Sequence, residues 1–301
     1  MDHRATTLPM PPGWPARIRA VDSGLLTPVT PRPAATVVLL RDRADGPEAY
    51  LLRRRTSMAF AGGMYAYPGG GVDPRDAEVE PGWAGPPPEE WARRLGVDVR
   101  TARAVVCAAV RETFEEAGVL LAGPDRDSVA APRDWSAERA ALEAHELSFA
   151  DFLREHGLVL RSDLLGGWAR WVTPEFEERR YDTWFFVAAL PAGQSAALEV
   201  GEADRVAWLT PAEAVRGHRE GRFGMMPPTV TVLRELSSVR SAAEALAAAA
   251  DRALAPVLGR AEVHGDRMTV RWPGYDELTI DGEFPADPAG PADPADPAAG
   301  S

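Results

Sequence analysis

The spacing of apolar positions changes character along the chain, and each change marks an element. Ala34 to Leu40 is a β-branched and apolar run that predicts a buried strand, and Glu48 to Arg53 predicts its partner after an Asp45-Gly46 turn. Tyr181 to Leu190 is almost continuously apolar and aromatic and predicts a central strand; Trp168 to Trp171, around Arg170, and Val206 to Leu209 predict two more. Helical spacing runs through Glu89 to Leu95, then from Val99 past Val110, and over Ser136 to Glu155 with Leu142, Leu147, Phe149, Phe152 and Leu153 inward. Further helices are predicted from Pro211, over Pro227 to Leu236, and over the alanine-rich Ser241 to Leu254. Seven prolines predict an irregular arm over residues 1–33. Arg260 to His264 and Arg267 to Trp272 predict a hairpin around Gly265-Asp266, and the Pro-Ala-Asp-Pro repeats predict a disordered tail over residues 284–301.

The stretch Ala108 to Val119, Ala-Ala-Val-Arg-Glu-Thr-Phe-Glu-Glu-Ala-Gly-Val, carries the densest chemistry. Glu112, Glu115 and Glu116 fall at i, i+3 and i+4, so at about 100° per residue their side chains leave a helix within one narrow arc. Arg111 is placed to pair with Glu115, and Gly118 supplies a left-handed cap. Crowded carboxylates repel, and a hard divalent cation, held by a few carboxylates together with substrate phosphates, relieves the repulsion. A solvated acidic face is the other reading of this helix taken alone.

Tyr67 to Asp76 reads Tyr-Pro-Gly-Gly-Gly-Val-Asp-Pro-Arg-Asp, a glycine-rich loop followed by acidic residues. Together with Arg111 to Val119 it resembles the two halves of the Nudix box, the signature of the Nudix hydrolases, with Gly70 at the opening glycine. Asp76 stands where that box has its first glutamate, and Thr113 where it has a bulky apolar residue. Residues 77–110 make 34 residues where the box has seven, an insertion of about residues 77–103. A split box of this kind resembles the subgroup that includes the peroxisomal coenzyme A diphosphatase of animals and many bacterial relatives. Thr173-Pro174, Arg179 to Phe186 and Met226 to Thr229 extend the likeness over roughly residues 33–236.

Composition narrows the partners. Apolar residues at 45% and charged residues at 26% describe a globular protein, and a net charge of −12 argues against a nucleic-acid or membrane-surface binder. The single cysteine, Cys107, cannot form an intramolecular disulfide and reads as a buried small hydrophobe rather than a nucleophile. The five histidines are scattered and suggest no metal site. With no apolar run of bilayer length and no basic segment leading an apolar core, a cytoplasmic location is expected.

The resemblance implies an α/β architecture, the Nudix fold, in which a mixed β-sheet is sandwiched between α-helices (α/β/α). It places that domain at residues 34–236, followed by a small C-terminal helix-hairpin extension over residues 237–283. It implies hydrolysis of a phosphoanhydride in a nucleoside diphosphate derivative, with Glu112, Glu115 and Glu116 holding Mg²⁺ or Mn²⁺ and Arg111 orienting them. Coenzyme A or acyl-coenzyme A is the substrate suggested by the subgroup; nucleotide sugars, dinucleotides, nucleoside triphosphates and a non-catalytic ligand-sensing role are the alternatives. A further metal-binding or base glutamate is expected in a late loop, where Glu202 is the candidate and Glu199, Glu177 and Glu178 are rivals. Gly69 and Gly70 bring backbone close to the helix. For Arg55, at the end of the Arg53-Arg54-Arg55 run, phosphate contact stands against a solvated edge; for Arg179 and Arg180, substrate recognition stands against ion pairing. A motif of related coenzyme A hydrolases upstream of the loop is matched by Arg55 and Gly63, but Phe60 and its neighbours lack its arginine and histidine. The insertion is expected to shape a substrate pocket or a homodimer contact.

Overall fold

The computed structural model describes residues 13–56, 62–77, 82–196, 203–265, 267–275 and 278–283. They divide into two compact units, a smaller one from the described residues of 13–30, 173–180 and 257–283 and a larger one from those of 31–172 and 181–256.

In the smaller unit a helix, α1 (Trp14–Asp22), forms where an irregular arm is expected over residues 1–33. The prolines misled there, because Pro15 lies in the first turn, where its missing N–H costs nothing. Trp14 meets Phe176 edge-on at 5.0 Å, and Arg17 Nε donates to the Phe176 carbonyl at 2.7 Å. The hairpin expected near the C-terminus is Arg260–His264 against Arg267–Arg271, and a third strand, Ile280–Glu283, pairs with its outer edge. Alternate residues Met268, Val270 and Ile280 are buried. The tail expected to be disordered, residues 284–301, lies outside the described residues.

The larger unit is built on β1 (Arg32–Arg43), β2 (Gly46–Arg54), β3 (Tyr65–Ala66), β4 (Gly69–Gly71), β5 (Gly82–Ala84), α2 (Pro88–Leu95), α3 (Val99–Ala117), β6 (Ala122–Gly123), α4 (Ser136–Glu143), α5 (Phe149–Glu155), β7 (Val159–Arg161), β8 (Gly166–Val172), β9 (Tyr181–Ala189), β10 (Ala203–Leu209), α6 (Pro211–Arg219), α7 (Pro227–Leu236) and α8 (Ala242–Ala249). The main sheet runs β10-β2-β1-β9-β8. β1 and β9 are parallel, Arg32 opposite Tyr181 through Leu40 opposite Ala189, and the other neighbours are antiparallel, so the sheet is mixed. Both faces are covered, which is why β1 and β9 are near-continuous apolar runs. Ala35, Val37, Leu39, Trp184, Phe186 and Ala188 face the α3 side, where they share a core with Val105, Val106 and Val110. On the opposite face Val187 meets Leu246 and Ala249 of α8 across Gly166. The result is an α/β/α sandwich.

Two local features position the site. β1 and β2 pair near their turn, from Leu40 opposite Ala49 to Arg43 opposite Gly46; farther along, β3 pairs with β2 and β4 takes the edge of β1, Ala35 opposite Gly70. The glycine loop is thereby fixed into the sheet. The acidic helix is one unbroken element, started by Asp98, whose side chain accepts from Thr101 N, and ended by Gly118 at φ 68. The single helix expected over Ser136 to Glu155 is two, because His145 takes φ 57 and turns the chain between α4 and α5. No helix among the described residues is long and apolar enough to cross a membrane.

Candidate active site

Arg111, in the penultimate turn of α3, is ringed by carboxylates. Its Nε and Nη2 donate to Asp76 at 3.2 and 3.1 Å, and its Nη1 donates to Glu112 at 2.8 Å and to Glu115 at 3.3 Å. Nη2 also donates to the Gly71 carbonyl at 2.9 Å, which joins the helix to the glycine loop. Glu116, half-buried beside this group, accepts the Gly69 N–H at 2.8 Å. A Cβ at Gly70 would lie 2.5 Å from the Glu112 carboxylate, so a side chain there would have to displace it. At Gly69 a Cβ would meet Thr36 Oγ1 at 2.1 Å. Gly70 comes close to the helix for want of a side chain, whereas Gly69 is pressed against β1 and reaches the helix through its N–H.

The cluster is short of positive charge. One guanidinium faces the carboxylates of Asp76, Glu112 and Glu115, and all four side chains are largely withdrawn from water. Burial pushes the Glu112 carboxyl up to about 7 against the pull of Arg111, with Glu115 adding repulsion. Burial raises Asp76 and Glu115 as well, although Arg111 opposes it in both. The Arg111 guanidinium, which burial alone would make more acidic, is held firmly protonated by Glu112 and Asp76. Unbalanced buried carboxylates of this kind suit a hard cation with oxygen ligands. Among the described residues no group of three carboxylate, histidine or cysteine side chains is gathered closely enough to hold an ion as it stands. Glu112 and Glu115 are turned to Arg111 and Glu116 to Gly69, so ligation requires these side chains to reorient.

Asp76, which stands at the first acidic position of the box, is drawn into the site by Arg111. It lies in a 3₁₀ turn, 3% exposed, and accepts from Asp73 N at 2.9 Å and from the Cys107 thiol at 3.6 Å. Cys107 is buried, as expected, and burial first and Asp76 second push its thiol well up. Thr113 keeps its apolar place by donating its hydroxyl to the Ala109 carbonyl at 2.7 Å. Arg139 of α4 donates to the Glu115 carbonyl at the helix end, a contact that no local pattern announces.

The remaining candidates scatter. Arg53 is committed to Asp204 through two bonds of 2.7 Å, and Arg55 is exposed just past β2. Arg179 is exposed and Arg180 is buried, both in the smaller unit; Arg180 donates to the carbonyls of Thr173 at 3.1 Å and Val29 at 2.7 Å. Glu177 and Glu178 belong to that unit too, with Glu178 paired to Arg17. Glu202, like Glu199, lies outside the described residues.

A family profile described as the NUDT19 Nudix domain matches residues 90–236. The chain is similar to the acyl-coenzyme A diphosphatase NUDT19 of Xenopus laevis, 24% identical over 63% of this chain and 59% of that protein. It is likewise similar to the protein of the same name from Gallus gallus, 26% identical over 69% of this chain and 65% of that one. The chain therefore spans less than two thirds of the length of either relative. Among solved structures it resembles a NUDIX hydrolase from Alicyclobacillus acidocaldarius, with a TM-score of 0.58 and 28% identity, covering 76% of this chain and 99% of that one.

Proposed function

We propose that this chain, which belongs to the Nudix hydrolase superfamily, cleaves a phosphoanhydride bond in a nucleoside-diphosphate-linked substrate, with coenzyme A or acyl-coenzyme A as the substrate class. The observation that carries the reading is the excess of buried carboxylate around Arg111, set directly against the glycine loop. Glu112, Glu115 and Glu116 would hold the ion, and Glu202 would add a further carboxylate. A bound Mg²⁺ or Mn²⁺ supplies neutralisation of the diphosphate and a water acidified for in-line attack on phosphorus. Arg111 keeps the carboxylates from splaying apart, because its guanidinium spans Asp76, Glu112 and Glu115 at once. The bare backbone at Gly70 leaves the space in front of the Glu112 carboxylate open to a diphosphate. Arg55, exposed at the end of β2, is a contact for substrate phosphate.

The names of the relatives support the coenzyme A class, and the incomplete upstream motif around Phe60 favours the second reading, another nucleoside diphosphate derivative. A substrate panel incubated with Mg²⁺ or Mn²⁺, with products identified by mass spectrometry, separates them. Release of adenosine 3′,5′-bisphosphate from coenzyme A is the expected result; turnover of nucleotide sugars alone would exclude it.

A further inference from the structure

The last turn of α3 carries the wrong charges for its place in the helix. Glu115 and Glu116 stand at the C-terminal end, where the backbone dipole is negative, and no basic residue lies in that turn. This is also where a helix frays, because its final carbonyls have no N–H of their own helix to accept from. Gly118 N donates to the Phe114 carbonyl at 2.9 Å, and the next carbonyl, that of Glu115, is taken by Arg139. Arg139 belongs to α4 and is 6% exposed. Its Nη2 donates to the Glu115 carbonyl, and its Nη1 lies 3.2 Å from where a Cβ on Gly118 would stand, so the guanidinium covers the helix end from the last turn to the cap. The base from which it reaches is fixed as well. Trp135, one turn before Arg139, meets Phe114 edge-on at 6.2 Å, and Phe152 meets both rings at 5.1 Å. Glu115 is therefore held twice, by Arg111 at its carboxylate and by Arg139 at its carbonyl. Once the carboxylates turn away from Arg111 and Gly69, only the backbone hold remains.

We propose that Arg139 is a positioning residue for Glu115 and Glu116, pinning the turn that presents them so that binding a divalent cation requires side chains to rotate but not the helix end to order. The proposal rests on the metal-binding role given to these glutamates above. Charge and geometry act in opposite directions here, which makes the sign of the effect decisive. A guanidinium at the end of an acidic turn repels a cation, so removing its charge alone would tighten Mg²⁺ binding. Removing the pin weakens binding, and a lost hydrogen bond from a charged donor corresponds to about a tenfold change in affinity.

The test is Arg139→Met in the full chain, with Mg²⁺ titrated calorimetrically well below the thermal midpoint and Tm measured in EDTA. The expected result is a lower Tm together with Mg²⁺ binding weakened about tenfold. A cap of structural importance only would lower Tm and leave the affinity of the folded protein as it was or raise it, so unaltered or tighter Mg²⁺ binding overturns the inference. Arg161→Met serves as the control, because it removes a guanidinium of similar burial, 8% exposed, from Asp163 and from the Ser128 carbonyl at 2.8 Å. It is expected to lower Tm with parental Mg²⁺ affinity; an equal loss of affinity there traces the effect to general destabilisation and overturns the inference. Should Arg139→Met not fold, Arg139→Lys decides, since it keeps the charge and shortens the reach: weakened Mg²⁺ binding is expected, and parental binding overturns the inference. A parent protein that takes up no Mg²⁺ overturns the metal reading and this inference together, whereas parental uptake retained in full by the Arg139 variants overturns the inference alone.

Discussion

Arg111 and Arg180 are buried to nearly the same degree, 6% and 7% exposed, yet their surroundings differ in kind. Arg180, in the smaller unit, donates to the backbone carbonyls of Thr173 and Val29, neutral acceptors that fasten two loop segments together. Arg111, in the larger unit, confronts three carboxylates and leaves net negative charge behind. A cation buried among carbonyls is a structural pin. A cation outnumbered by carboxylates marks a place where further positive charge is wanted, and that distinction separates the two more clearly than burial or residue type does.

The sharpest way to test the contrast is Glu116→Gln. The amide can still accept from Gly69 N while losing its charge, so turnover is expected to fall by about 10³-fold, equivalent to about 4 kcal/mol of barrier, with little change in Tm. Steady-state rates and calorimetry on the same preparation decide it; parental turnover would contradict the metal assignment. Next in size, Arg111→Met strips the counter-charge from buried carboxylates and is expected to cost about 3–5 kcal/mol in the absence of metal, read by denaturant unfolding. Arg180→Met, by comparison, loses hydrogen bonds to neutral groups and is expected to cost about 1–3 kcal/mol with kcat/KM unchanged. A matching collapse of turnover in Arg180→Met would restore the substrate-recognition role that its sequence position suggests.

The smallest effect concerns protons. Glu112 binds its proton more tightly in the folded protein, with the carboxyl pushed up to about 7, than in the unfolded chain, where a glutamate titrates near 4.3. The stability this contributes is complete below about pH 4.3 and is lost as pH rises through 7. Thermal midpoints in EDTA are therefore expected to decline across that window from this group, while Mg²⁺ affinity rises with pH and levels off above 7. A flat EDTA profile accompanied by pH-independent Mg²⁺ binding would show that the carboxylate is already ionised.

Much of this was legible in the residues themselves. The near-continuous apolar runs at Ala34 to Leu40 and Tyr181 to Leu190 marked strands covered on both faces, and the box spacing placed Glu112, Glu115 and Glu116 on one arc of one helix. What escaped were features that depend on distant partners. Nothing around Asp76 announces that a guanidinium 35 residues away will bury it, and nothing around Arg139 announces that it will cover the end of α3. The break at His145 was missed because neither glycine nor proline marks it. Helix α1 was missed for the opposite reason, a proline whose meaning reverses at a helix start.

The clasp between Asp76 and Arg111 has a consequence for how such a protein can change over generations. The 34 residues between them leave the site at one end of this clasp and return at the other, the last twelve of them as α3 itself. Enlarging a closed loop from seven residues to 34 costs only about 1.4 kcal/mol of chain entropy. Length can therefore vary cheaply only where the excursion is not itself core, because Trp91 and Leu95 of α2 and Val105, Val106 and Val110 of α3 are packed into the interior.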